Sequence, residues 1–167
     1  MSMNTVPERL AALRAAMAAN GVAVYLIPVG DPHASEYLPA HYTSLTWFSG
    51  FHGENSNLVV TRTGSALWAD GRYFVQAEKE LAGTEIRLQR MGEPGVPTVE
   101  EYCADALNEG EVLGLCGLTA STALVNGLKK ALEKKGASIR TLRLEDELWT
   151  EDRPALPDTP AWILPEE

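Results

Sequence analysis

Apolar runs and helix-spaced apolar positions alternate along the chain, and this alternation predicts an α/β fold. The continuous apolar run 22–27 is typical of a strand that is covered on both faces. Two shorter runs within 59–68 are split by Arg62-Thr63-Gly64, which predicts a β-hairpin. Further strands are predicted at 84–88, 112–116 and 137–142. Strands that alternate with helices favour a mixed sheet with flanking helices, in which the hairpin supplies antiparallel pairing.

Capping signals and apolar spacing predict where the helices begin. Thr5 with Glu8, and Thr98 with Glu101, have the spacing of a capping box, so a helix is expected to start at each pair. A further helix is predicted at 122–135, where leucines recur at helical spacing.

The stretch 67–77 changes from strand to helix. Asp70 breaks the apolar run and is predicted to cap the next helix, because its carboxylate can accept from free backbone N–H groups of the first turn. From Tyr73 onward the apolar spacing is helical, and Gly83 is the predicted stop. Arg72 follows Asp70 closely, so the turn is expected to carry its own ion pair or one shared with a neighbouring loop.

The segment 30–55 lacks clear periodicity and is long for a plain connection, which is typical of a functional loop or of one with short helices. Its acidic and histidine side chains suggest a metal site, but no pair has the helical spacing that would bring two ligands together. Hydrogen bonds from Asp31, Ser35 and Glu36 to the loop backbone are the favoured interpretation. Ser35 near His33 suggests a nucleophile–base pair, yet no Gly-x-Ser-x-Gly turn surrounds it.

Trp47 and Phe48 are large adjacent aromatic residues in the same segment. As strand neighbours they would point to opposite faces, so one can be core while the other lies exposed at a contact surface. Core packing of both residues is equally compatible with the sequence.

Composition and charge narrow the classes of partner. The chain has 167 residues, a formal net charge of −9 and 45% hydrophobic residues, as expected for a globular domain. Its negative charge disfavours nucleic acids and anionic membranes, and no apolar run reaches the length of a membrane span. Cys103 and Cys116 lack metal or redox spacing and are expected to be reduced and buried. The cytoplasm is the expected location.

The last residues differ in composition from the rest of the chain. Prolines recur throughout 154–167, which predicts an extended linker toward a following domain. Residues 1–153 are then the domain body.

Four stretches carry a resemblance to a known family. The central one is Leu-Trp-Ala-Asp-Gly-Arg-Tyr-Phe at 67–74, and the others are Asp31–Tyr37, Phe48–Gly53 and Leu148–Pro154. They resemble the N-terminal domain of the creatinase and Xaa-Pro aminopeptidase family of pita-bread metallopeptidases, most closely its three-domain Xaa-Pro aminopeptidase form. The family pattern has Thr in place of Ala69. The chain also lacks the family's Arg within 42–46, and it has a different turn at 53–57, so cleft contacts or substrate preference are expected to differ.

The resemblance implies a ribonuclease H-like fold with a six-stranded mixed sheet. It assigns Asp31, His33, Ser35, Glu36, Asp70 and Arg72 to structural motifs. In the family, two Asp, one His and two Glu of a C-terminal domain hold two divalent metal ions, with manganese as the expected metal. No residue of this chain matches a metal ligand or a catalytic residue.

The resemblance further implies a non-catalytic domain that shapes a substrate cleft and supports domain or subunit contacts. The parent peptidase would remove the N-terminal residue before a penultimate proline. The remaining domains are the expected partners, a homodimer is possible, and a peptide substrate is expected only in the full-length protein. Cleft contacts are hypothesised for Trp47, Phe48, His41 and His52. The alternative is a free-standing protein- or ligand-binding module without any peptidase domain.

Overall fold

A computed structural model of the chain describes residue 3 and residues 5–164. Within these residues the strands are β1 Val24–Pro28, β2 Asn57–Thr61, β3 Ser65–Ala69, β4 Ile86–Arg90, β5 Val112–Leu115 and β6 Ser138–Thr141. The helices are α1 Val6–Ala19, α2 Ser44–Ser49, α3 Phe74–Glu80, α4 Val99–Asp105, α5 Thr122–Glu133 and α6 Leu144–Leu148, with a 3₁₀ turn at Ala40–Tyr42.

The strands form one mixed sheet in the order β4-β3-β2-β1-β5-β6. The predicted hairpin is confirmed, because β2 and β3 pair antiparallel, and β2 also pairs antiparallel with β1. The pairs β1–β5, β3–β4 and β5–β6 are parallel. The six-stranded mixed sheet predicted for this chain is therefore confirmed.

The core lies on both faces of the sheet. On β1, Tyr25 and Ile27 pack into one apolar cluster with α1 and α2, while Val24 and Leu26 pack into the other with α4 and α5. All four side chains are at most 1% exposed. Burial of such side chains contributes about 1.5–3 kcal/mol each. This two-sided burial is the physical reason for the continuous apolar run in the sequence.

Both predicted capping boxes are present at the starts of α1 and α4. The side chain of Thr5 accepts from the backbone N–H of Glu8, and Thr98 does the same for Glu101. The glutamate of each pair accepts in return from the backbone N–H of its threonine.

The segment 30–55 contains α2 and the 3₁₀ turn. Trp47 and Phe48 lie on α2, so the expectation based on strand geometry is wrong for them. In a helix, successive side chains are about 100° apart rather than opposite. Phe48 is fully buried and Trp47 is half-buried.

A stack of aromatic and guanidinium groups joins the two ends of the domain body. The Trp47 ring stacks on Trp149, with centroids 5.6 Å apart, and the Arg9 guanidinium lies 4.5 Å from the Trp47 ring centroid. Arg153 lies over the other tryptophan and donates to the carbonyl oxygen of His41 and to Asp146. These contacts attach Trp149 and Arg153 to α2 and to the 3₁₀ turn.

Residues 154–164 contain neither helix nor strand, and their side chains are exposed. Trp162 and Ile163 are 71% and 94% exposed. The last part of the predicted linker, 165–167, lies outside the described residues, as do residues 1, 2 and 4 of the predicted body. None of the helices in the described part of the chain has both the length and the apolar character needed to cross a lipid bilayer.

Candidate functional site

A groove of about 1000 Å³ lies at the carboxyl ends of β1 and β5. The paired residues of these parallel strands end at Leu26 and Leu115, and a loop follows β1 after Pro28 and β5 after Leu115. Residues 28–38, 52–57 and 117–122 supply most of the lining. Ligands of open α/β sheets commonly bind outside the carboxyl ends of strands, so the groove is the candidate site.

A close backbone contact joins the two loops below the groove. A Cβ atom on Gly30 would lie only 2.5 Å from the backbone oxygen of Thr119. The loops after β1 and β5 therefore meet because residue 30 has no side chain.

Asp31 organises the loop that follows Gly30. Its side chain is buried, and Oδ1 accepts from the backbone N–H groups of Ser35 at 2.9 Å and His33 at 3.0 Å. These hydrogen bonds, first of all that from Ser35, lower the pKa of Asp31 below its ordinary value. Ser35 contributes its backbone N–H to this arrangement. Glu36 makes no hydrogen bond within the described residues, so the predicted bond to the loop backbone is wrong for Glu36.

Next to the groove-lining Arg72, Asp70 holds a turn rather than a helix end. Its Oδ1 accepts from the backbone N–H of Arg72 at 2.9 Å, and its Oδ2 accepts from the Arg72 guanidinium at 2.7 Å and from Asn55 at 3.1 Å. The guanidinium holds the pKa of Asp70 well below its usual range.

The prediction that Asp70 caps α3 is therefore wrong. The N-cap position of α3 is Tyr73, which makes no side-chain capping bond, so Asp70 lies three residues too early to reach the helix. The predicted ion pair with Arg72 is present. It is joined to the neighbouring loop through Asn55, which combines the two arrangements that the sequence left open.

Asp70→Ala should lower the denaturant midpoint, because it removes the acceptor for Arg72 and Asn55 together. Asp70→Asn should recover only part of the loss, since the amide keeps an acceptor for the Arg72 N–H but has no charge for the guanidinium. Because the folded pKa is depressed, the stabilisation is present above the unfolded pKa and is lost as pH falls through the folded one. Equal midpoints for the Ala and Asn variants in urea at neutral pH would contradict the turn and ion-pair assignment.

The residues hypothesised to contact a substrate occupy different places. His52 lines the groove, its ring is exposed, and its backbone N–H donates to Glu80 at 2.9 Å. His41 lies with its Nδ1 2.8 Å from the Pro154 carbonyl oxygen. Trp47, Phe48 and His41 are not among the described residues that line the groove. The structure thus brings His52 to the same groove as Asp31, Ser35, Glu36 and Arg72.

Sequence reasoning missed one wall of the groove, which is the segment 117–122. This segment follows β5 and leads into α5, whose N-cap Ser121 accepts from the backbone N–H of Leu124 at 3.2 Å. The Ser-Thr pair before the leucine-spaced helix is a local signal for this N-cap. Its position in the groove depends on the pairing of β5 with β1, which has no local signal.

The described residues do not fit a metal centre. No group of three or more His, Cys, Asp or Glu side chains in this part of the chain is placed to hold an ion. Cys103 and Cys116 are free thiols and both are buried, as predicted. Burial raises the pKa of the Cys103 thiol, so the free thiol is neutral at neutral pH.

Comparison with known proteins agrees with the fold. A family model described as the creatinase/prolidase N-terminal domain matches residues 9–144. The structure is similar to that of the X-prolyl aminopeptidase from Caenorhabditis elegans, with a TM-score of 0.83 and 33% identity, over 92% of this chain and 27% of that one. That relative is described as a cytosolic enzyme with a di-nuclear active site.

Curated relatives match almost the whole chain. Aminopeptidase P2 of Arabidopsis thaliana is 40% identical over 157 residues, which is 91% of this chain and 22% of that protein. A probable Xaa-Pro aminopeptidase P of Sordaria macrospora is 38% identical over 167 residues, which is 98% of this chain and 27% of that protein. The chain thus spans about a quarter of the length of these relatives. With its six-stranded mixed sheet and the match over 9–144, it belongs to the creatinase/prolidase N-terminal domain family.

Proposed function

We propose that this chain is the non-catalytic N-terminal domain of a metallopeptidase of the Xaa-Pro aminopeptidase type. The parent protein removes the N-terminal residue before a penultimate proline. The nucleophile is water activated by two divalent metal ions, and manganese is the expected metal. The observation that carries the proposal is the match over nearly the whole chain to relatives named aminopeptidase P2 and Xaa-Pro aminopeptidase P. The lack of a fitting ligand set among the described residues agrees with a catalytic centre elsewhere in the parent.

Within the parent, this domain forms one wall of the substrate cleft through its groove. Two large apolar residues on the groove, Tyr37 and Leu118, are 81% and 44% exposed. Such exposed apolar side chains beside a groove are typical of a contact surface. His52 is the hypothesised cleft residue that lies at this surface. Of the remaining three, Trp47 and His41 are half-buried and Phe48 is fully buried. Cleft contacts by Trp47, Phe48, His41 and His52 remain predictions.

The other properties of the parent follow from the same proposal. The domain body is 1–153. A linker, 154–167, connects it to the remaining domains, which are its partners. A homodimer and a cytoplasmic location are part of the proposal, and the location is supported by the cytosolic relative. A free-standing binding module is the disfavoured alternative, because the matched relatives are about four times as long. An open reading frame after Glu167 that encodes the five metal ligands would support the peptidase proposal directly.

The isolated chain should not hydrolyse Xaa-Pro peptides with any added divalent metal, because the described residues do not converge on an ion. A dipeptide and a tripeptide with proline in second position are assayed with manganese, cobalt and zinc. A full-length Xaa-Pro aminopeptidase of the family serves as the positive control. Metal-dependent turnover that survives further purification and is lost in His33→Ala or Glu36→Ala would overturn the proposal.

A further inference from the structure

Acidic side chains outnumber Lys and Arg side chains along the groove. Asp31, Glu36 and Glu54 line it, and the only Lys or Arg side chain among the described lining residues is Arg72. The Arg72 side chain is already paired with Asp70, whose oxygens accept three hydrogen bonds from its guanidinium group at 2.7–3.3 Å. The positive charge is thereby neutralised locally, and the groove has an excess of negative charge.

Two of the three carboxylates are available to a ligand. Glu36 is exposed and has no hydrogen-bond or ion-pair partner within the described part of the chain. Glu54 is also exposed and interacts electrostatically with Arg72, and its Oε2 accepts from the Tyr73 hydroxyl at 3.2 Å, while its Oε1 accepts no hydrogen bond within the described residues. Asp31, in contrast, is buried and occupied by the loop backbone, so it does not face a ligand.

The groove also offers apolar contact beside these carboxylates. Tyr37 follows Glu36 directly and is 81% exposed, and its hydroxyl makes no hydrogen bond within the described residues. Leu118, on the wall after β5, is 44% exposed. An aromatic face near a carboxylate suits a Lys or Arg side chain, because the cation interacts with the ring while its aliphatic part covers apolar surface.

The size and shape of the groove select the kind of ligand. A volume of about 1000 Å³ is at the upper end for small-molecule pockets, and the groove is bounded by loops rather than closed. Its walls bear hydroxyl and amide groups, of which the side chains of Thr46 and Asn57 have no hydrogen-bond partner among the described residues. Such groups can satisfy the backbone N–H and C=O groups of an extended chain.

We propose that the groove binds an extended peptide segment that carries a Lys or Arg side chain, with Glu36 and Glu54 facing the cation and Tyr37 and Leu118 in apolar contact. This inference deepens the proposed function, since it specifies the charge of the peptide that the parent would accept. It requires no turnover, so it is measured on this chain alone.

The test uses two capped pentapeptides, acetyl-Gly-Leu-Arg-Leu-Gly-amide and the same peptide with citrulline in place of Arg. Citrulline has nearly the shape of Arg but no charge. Titrations are followed by ¹H–¹⁵N chemical-shift changes of the isotope-labelled chain at low salt. The Arg peptide should bind about tenfold more tightly than the citrulline peptide, and the difference should shrink as salt is raised to about 0.5 M. The shifts should map to 29–38, 52–57 and 117–122.

Charge variants and their control assign the effect to the groove. The double variant Glu36→Gln/Glu54→Gln should bind both peptides about equally, since each glutamine keeps the shape and an acceptor but loses the charge. Glu93→Gln/Glu109→Gln changes two exposed glutamates that do not line the groove, and it should keep the full preference. Tyr37→Ala should lower the affinity for both peptides to a similar extent.

Equal affinity of the two peptides for the wild-type chain would overturn the inference. So would shifts confined to other surfaces, or a charge preference retained in the Glu36→Gln/Glu54→Gln variant. None of these results concerns catalysis, so the proposed function would stand or fall separately by the activity assay and the reading frame.

Discussion

Phe48→Ala should lower the free energy of unfolding of the isolated chain by about 3–5 kcal/mol, the usual cost of removing a fully buried phenylalanine ring. The Phe48 side chain is 0% exposed and belongs to the apolar cluster around α1 and the inner face of β1. Its ring also makes an edge contact with Trp47, at a centroid distance of 4.7 Å. Urea denaturation at neutral pH, followed by far-UV circular dichroism, measures the loss.

Phe74→Ala is the matched control, because the same atoms are removed from a half-buried site on the surface helix α3. It should cost clearly less than Phe48→Ala. Equal losses in the two variants would contradict the assignment of Phe48 to the core.

Stability should fall as pH rises from about 4.5 to about 7 because of one buried carboxyl group, that of Glu145. Its side chain is 4% exposed, and the Tyr25 hydroxyl donates to its Oε2 at 2.5 Å. Burial raises the pKa of Glu145 from its ordinary value of 4.5 to about 7. The same hydroxyl lies 3.1 Å from the carbonyl oxygen of Leu142 and accepts from the backbone N–H of Leu144.

Burial favours the neutral form of Glu145 and outweighs the Tyr25 hydrogen bond, which acts to lower the pKa, and the surrounding hydrogen bonds can accommodate that neutral form. One hydroxyl proton of Tyr25 cannot serve both the carboxylate and the Leu142 carbonyl. A protonated Glu145 donates to the Tyr25 oxygen instead, and the hydroxyl proton is then free for Leu142. Both acceptors are satisfied only when the carboxyl group carries its proton.

The sign of the effect follows from proton binding. Between the unfolded and the folded pKa the native state binds more protons than the unfolded state, so stability decreases with rising pH and levels off above the folded pKa. The rise in the pKa of Glu145 from 4.5 to about 7 corresponds to a loss of about 3 kcal/mol in the free energy of unfolding over this pH window. The carboxylates of Asp31, Asp70, Glu85 and Glu111 have lowered pKa values and act in the opposite direction at acid pH.

Glu145→Gln isolates the contribution of this group. The amide is neutral at every pH and can donate to Tyr25, so the variant should match the wild type near pH 4.5 and exceed its stability near pH 8. Glu147→Gln on the same helix is the control, because Glu147 is exposed and should leave the pH profile unchanged. If the wild type and Glu145→Gln gave parallel profiles from pH 4.5 to 8, Glu145 would have to be ionised in the fold.

Much of the fold is predictable from short-range pattern. Thr5 with Glu8 and Thr98 with Glu101 are capping boxes because the atoms that bond belong to residues three apart. The hairpin of β2 and β3 is signalled by the residues between its two apolar runs. Asp70 shows the limit of this reasoning, because an acidic residue before a helix can cap the helix or close a turn. Arg72 and Asn55 decide between the two, and Asn55 lies 15 residues away.

The chain by itself therefore determines its alternation of strands and helices, the ends of its capped helices and its family, since these depend on neighbours in sequence. Tertiary structure alone decides that β5 lies beside β1 and that their loops enclose the groove with Glu36, Glu54 and Tyr37 on it. It also decides that Glu145 meets Tyr25, 120 residues earlier in the chain. Contacts at such separations leave no periodic pattern, because they depend on how the whole sheet is ordered rather than on the spacing of any one segment.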